Sequence, residues 1–130
     1  ERFSNTIDID PAEITTNKLD EQFIAKLLKI IDKDITNPNL SINDISHQLN
    51  MDRTNLFKKI KSLFGKSPSK FIREYRIKNA AKLLISNDYN INEISYMVGF
   101  TSPAYFTKLF REVLGKTPSE FINENVNGIK

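Results

Sequence analysis

The chain has 130 residues, 39% of them hydrophobic and 27% charged, with a formal net charge of +3. That size suits one domain or two small subdomains sharing a helix, and no window approaches the apolar run of a membrane span. Having no cysteine excludes disulfides and thiolate-held metals, and the opening at Glu1, with no charged-then-apolar leader, suggests a piece of a longer protein.

Residues 1–18, with Ile7 and Ile9 alternating and Pro11 following, read as a linker. A first helix is expected from Asp20 as its cap, with Leu19 stapled against Ile24. Phe23, Leu27, Leu28, Ile30 and Ile31 make it amphipathic, and Asn37-Pro38 ends it. Residues 1–36 hold eight acids against five bases.

The first subdomain is expected over residues 19–68. Ser41 is a good N-cap with Asp44 at the reciprocal third position, and Ile42, Ile45 and Leu49 share one helical face. Asn50 tolerates the positive φ of a tight turn, Met51 anchors it, and Asp52 can cap the next helix. The buried face of that helix is Leu56, Ile60 and Leu63, and Gly65 is its left-handed stop. Ser67-Pro68 then starts another helix with Pro at its first position.

That linker helix is expected over residues 69–86. Phe71, Ile72, Tyr75, Ile77, Ala80, Ala81, Leu83, Leu84 and Ile85 are too many for one narrow stripe, so both subdomains should pack on it. Charge is concentrated here and just upstream. Residues 53–82 carry ten bases (Arg53, Lys58, Lys59, Lys61, Lys66, Lys70, Arg73, Arg76, Lys78 and Lys82) against the single acid Glu74. A surplus of nine in so short a stretch suits a polyanion better than a merely solvated face.

Residues 87–124 repeat the first subdomain, and residues 125–130 form a tail. At an offset of 49, Ile42, Asn43, Asp44, Ile45, Ser46, Leu49 and Met51 pair with Ile91, Asn92, Glu93, Ile94, Ser95, Val98 and Phe100. One residue is then inserted near Thr101–Pro103. At an offset of 50, Leu56, Lys58, Ile60 and Leu63 pair with Phe106, Lys108, Phe110 and Val113, and Gly65-Lys66 through Phe71-Ile72 recur as Gly115-Lys116 through Phe121-Ile122. Asn90 and Glu93 repeat the capping pattern, Gly99 stands where Asn50 stood, and either Thr101 or Ser102 can cap the following helix. The unit has been duplicated, each copy reading as helix, tight turn, helix and a further helix. No segment reads as a strand.

A helix-turn-helix places its second helix in the major groove. The core positions leave Arg53, Thr54, Asn55, Phe57, Lys58 and Lys61 outside in the first copy. Arg53 can pair bidentately with guanine, Lys58 can donate to guanine acceptors, and an inward-facing Asn55 can read adenine. Phe57 has two readings: a lid on the subdomain edge or upstream helix, and apolar contact with thymine methyls. The second copy presents Pro103, Ala104, Thr107 and Lys108, fewer multidentate donors, and so should specify less. Backbone phosphates are assigned to Lys66, Ser67, Arg73, Arg76 and Lys78 in the first half. Thr101, Ser102, Arg111, Lys116 and Thr117 take that role in the second. Some of these hydroxyls serve only as caps, the reading favoured for Ser67 and Thr117.

These two units, with Phe71-Ile72-Arg73, Arg76-Ile77-Lys78, Ala80-Ala81 and Leu83-Leu84 between them, resemble the AraC/XylS family of bacterial transcription regulators. Ile94-Ser95, Val98-Gly99-Phe100, Tyr105-Phe106, Phe110-Arg111 and Gly115 through Phe121 look like that family's signature. The resemblance covers residues 20–123 and implies an all-α domain of about seven helices: two helix-turn-helix subdomains on a long linker helix, bound to two adjacent major-groove segments. The stretch from Ile9 to Ile14 leading to Asp20-Glu21-Gln22-Phe23 further resembles the linker before the output domain of hybrid two-component regulators. The partners so implied are promoter DNA, RNA polymerase, upstream receiver and sensor domains, and a second copy of the chain. The domain would be cytoplasmic, its full-length protein anchored in the inner membrane and holding any kinase. No cofactor or metal is implied.

Two other classes of function compete with DNA binding. An enzyme lacks a constellation: His47 is the only histidine, with no cysteine or second histidine beside it, and reads as a solvated residue opposite Ile42 and Ile45. A helical protein-interaction module without DNA binding accounts for the amphipathic helices but not for the basic concentration.

Overall fold

The computed structural model describes residues 18–127, and these are helical with no strand among them. They form α1 (Lys18–Lys33), α2 (Ile42–Leu49), α3 (Arg53–Phe64), α4 (Pro68–Ser86), α5 (Ile91–Met97), α6 (Pro103–Leu114) and α7 (Pro118–Ile122), closed by a π-helical turn at Asn123–Asn127. Among the described residues the all-α expectation is met, with seven α-helices. The reading of residues 1–17 as a linker, and of their likeness to a two-component linker, lies outside the described residues. The chain divides into two compact units, and the division falls inside α4, between Arg73 and Glu74.

In the first unit Ile24, Leu27 and Ile31 of α1 are fully buried. The expected staple of Leu19 on Ile24 is corrected: the helix starts at Lys18, and Leu19 is 70% exposed. At 3.6 residues per turn Leu19 lies about 100° round from the buried stripe. Asp20 is therefore no cap; it lies on the stripe's extension and receives Lys59 Nζ at 2.8 Å.

Ser41 caps α2 with its side chain on the Asp44 amide at 3.2 Å, while the Ser41 amide donates to Asp44 Oδ2 at 3.1 Å. Asn50 then turns left-handed (φ 56°, ψ 43°), and the Met51 amide closes onto Ser46 O at 3.0 Å. Asp52 caps α3 and Gly65 (φ 74°) stops it. A Cβ at Gly65 would meet no atom within 4 Å, so glycine is there for its torsion and not for want of room. Ser67 starts α4 by accepting from the Lys70 amide at 3.3 Å. Leu56, Ile60, Phe71 and Ile72 are buried, with Leu63 half-buried and the Phe64 and Phe71 rings 4.3 Å apart.

The second unit repeats these devices. Asn90 and Glu93 form a reciprocal cap (2.9 and 2.8 Å), as do Thr117 and Glu120 (2.9 and 3.2 Å). Gly99 (φ 94°) makes the turn and Gly115 (φ 81°) the stop. Between Thr101 and Ser102, the cap of α6 is Ser102, whose Oγ accepts from the Tyr105 amide at 3.1 Å.

The two cores differ in chemistry. Phe106 and Phe110 stand where the first copy has Leu56 and Ile60. They join Phe100 and Phe121 in a chain of rings with centroids 5.4, 5.7 and 5.6 Å apart. Ile77, Ala80, Ala81 and Leu84 of α4 are buried in this part of the chain. Ile85, expected among them, is 38% exposed.

Candidate nucleic-acid interface

In the first unit the turn at Asn50 delivers α3 with its start capped and its outer face open. Arg53, Phe57 and Lys61 follow one another at intervals of four, with Thr54 and Lys58 beside them. All five are exposed, Phe57 at 47%. Arg53, Thr54, Phe57 and Lys58 line a shallow groove of about 550 Å³ together with Ile42 from the start of α2. An exposed ring flanked by two cations gives that groove an apolar floor and hydrogen-bond donors on its rim. This is the chemistry needed to meet a base edge carrying both acceptors and a methyl group.

The second unit presents the equivalent face of α6 with less to offer. Ala104, Lys108 and Arg111 are exposed, while Pro103 and Thr107 are half-buried. Thr101 and Ser102 are exposed at the helix start, the second of them committed to capping. Thr117 likewise serves as a cap, and Ser67 does so at the start of α4.

Several expected site residues stand differently. Arg76, assigned to a phosphate, is 5% exposed and turns inward, where its Nη1 donates to Val98 O at 2.7 Å. Burial pushes this guanidinium below its usual pKa. It is not available to a phosphate, and the reason was legible in helical phase: Ile72, Arg76, Ala80 and Leu84 lie on one row, and all are buried. Asn55 is exposed but lies off the groove, its amide donating to Asp52 Oδ2 at 2.8 Å. Lys116 is paired with Glu124. Lys66, Arg73 and Lys78 are half-buried, keeping part of each side chain at the surface.

The family model of a helix-turn-helix domain matches residues 45–124, running through both turns and both outer-face helices. A solved transcriptional regulator from Chromobacterium violaceum, described as containing an AraC-type DNA-binding domain, superposes with a TM-score of 0.76 at 26% identity, covering 84% of this chain and 96% of that one. The chain belongs to the AraC-type helix-turn-helix family of DNA-binding transcription regulators.

Among its relatives, histidine kinase P4 of Formosa agariphila is 43% identical over 94% of this AraC-type chain, which spans 9% of that protein. The Msm operon regulatory protein of Streptococcus mutans is 34% identical over 86% of the chain, which spans 40% of it. The AraC-type chain thus covers less than half the length of either relative. No described helix is long and apolar enough to cross a membrane.

Two residues of the AraC-type surface escaped sequence reasoning. Ile42 shares the core-facing side of α2 by sequence, yet it is half-buried and forms one wall of the α3 groove. Tyr105 stands at the register position of Asn55, 46% exposed, with its ring 6.0 Å from that of Phe100. The offset of 50 between the copies was the signal for it. An exposed tyrosine replacing a capped asparagine at a helix start marks where the two copies have diverged.

Proposed function

We propose that this chain is the sequence-specific output domain of a transcription regulator, with α3 and α6 entering neighbouring major-groove segments of promoter DNA. The observation that carries this reading is the outer face of α3, where Arg53, Lys58 and Lys61 surround the exposed Phe57 on a helix whose start follows a tight left-handed turn. Arg53 and Lys58 read guanine acceptors, and Phe57 meets a thymine methyl. The groove it shares with Ile42 favours that role over a lid on the core.

In the second segment Ala104 makes apolar contact, and Pro103 shapes the helix start. Thr107 and Lys108 donate to base edges. Tyr105 offers its hydroxyl to a phosphate beside the cap, and Lys66, Ser67, Arg73, Lys78, Thr101, Ser102, Arg111, Lys116 and Thr117 neutralise or position the backbone. The test is binding of the domain to duplexes enriched from a random library, followed across salt concentrations. The log–log slope should fall by about 0.9 for every phosphate neutralised. A flat response, or no enriched sequence, would sink this reading and favour a protein-interaction module.

The full-length protein, on this proposal, is a hybrid two-component regulator. The likeness of nearly the whole chain to a small part of a named histidine kinase supports it. Any kinase activity then belongs to other segments, RNA polymerase and a second copy are the protein partners, and the membrane anchor lies outside this cytoplasmic domain. Reading the gene beyond Glu1 checks this directly: with no kinase and receiver encoded upstream, the arrangement is wrong.

A further inference from the structure

Arg76 belongs by sequence to the most basic stretch of the chain, but its guanidinium is buried and bound to a backbone carbonyl. Burying such a charge is unfavourable unless its donors find acceptors, and here one acceptor lies at 2.7 Å. Its acceptor is Val98 O, and Val98 is the C-cap of α5 (φ −100°, ψ 14°). The last carbonyls of a helix have no partner within it and carry the negative end of its dipole, so a guanidinium there satisfies both. Nearby acceptors are already used: Ile94 O by the Val98 amide, Tyr96 O by the Gly99 amide, and Ser95 O by the Phe100 amide.

Val98 is followed by Gly99 at φ 94°, then Phe100 in the aromatic core, then the Ser102 cap of α6. The direction in which the chain leaves α5 therefore sets the direction in which α6 starts. We infer that Arg76 is a positioning residue for the second reading helix, clamping the turn of the second helix-turn-helix to α4 without touching DNA. The inference rests on the DNA-binding reading for its effect on recognition. The clamp itself does not depend on that reading.

Wild type, Arg76→Met and Arg76→Lys are compared in two measurements. Without DNA, exchange of the Gly99 and Phe100 amides should rise about tenfold in the Met variant relative to amides in α1, and fall part-way back in the Lys variant, which restores a charge but fewer donors. With DNA, each protein selects sites from a random duplex library, the α3 half being the half that Arg53→Ala relaxes. The Met variant should keep the α3 half and lose preference about tenfold at the other, with partial return in Lys. Equal losses at both halves with a shallower salt slope would mean a phosphate contact and overturn the inference, as would unchanged exchange at Gly99 and Phe100. If the wild type selects no site, the DNA reading fails while the exchange measurement still decides the clamp. If the Met variant does not fold, the Lys variant against wild type carries both readings.

Discussion

Lys59 reaches across 39 residues to place its Nζ 2.8 Å from Asp20 Oδ1, with the same ammonium 5.5 Å from the centre of the Phe23 ring. Its neighbour Lys58 points into the groove beside Phe57. Two adjacent lysines in one basic run thus have different surroundings. Lys59→Met should cost about 0.5–1 kcal/mol in urea unfolding, since the pair is partly solvated, and leave the salt slope of DNA binding unchanged. Lys58→Met should do the reverse, flattening the slope or relaxing one base. If both mutants alter the slope alike, the division is wrong.

On the proposed pairing of Arg53 with guanine, Arg53→Ala should weaken binding to the selected site by about 1–3 kcal/mol and relax preference at one base pair. Arg111→Ala, on the outer face of α6, should weaken selected and random duplexes alike. Titrations against both duplexes separate the two effects.

Gly65→Ala and Gly115→Ala should each destabilise their unit by about 1 kcal/mol, because a left-handed residue with a Cβ is strained even where nothing crowds it. Asparagine at either position should recover part of that loss. Chemical denaturation of the four variants gives the ranking, and a cost well above this for alanine would reveal crowding that the geometry excludes.

Phe106 and Phe110 touch each other and the rings on either side of them. A double-mutant cycle of Phe106→Leu and Phe110→Leu should show coupling of about 0.5–1.5 kcal/mol. Leu56 and Ile60, the aliphatic counterparts, should couple less when truncated to Ala and Val. Additive losses at the phenylalanines would show that ring geometry contributes nothing beyond buried area.

Much of this is legible in the sequence, and the reason is local. A serine or asparagine three residues before an acid, an asparagine or glycine at a turn, and a glycine then a proline after an amphipathic run each act within a few residues. The sequence therefore shows where α2, α3, α5 and α6 begin and end, and where α7 begins. What it hid depends on direction. The start of α1 at Lys18 moved Leu19 out to solvent and brought Asp20 to Lys59. Arg76 was read by its company of bases, although its row with Ala80 and Leu84 pointed inward. Asn55 was read by its residue type, while its nearest acceptor, Asp52, was already in the capping position.

Each copy's helices carry their own start and stop signals within a handful of residues: Ser41 with Asp44, then Asn50, Asp52 and Gly65; Asn90 with Glu93, then Gly99, Ser102 and Gly115. A segment punctuated in this way keeps its meaning wherever a gene places it. It can be copied whole with its start and stop signals intact. Outer face and core can then change separately, as the contrasts between Arg53 with Phe57 and Pro103 with Thr107, and between Leu56 with Ile60 and Phe106 with Phe110, show.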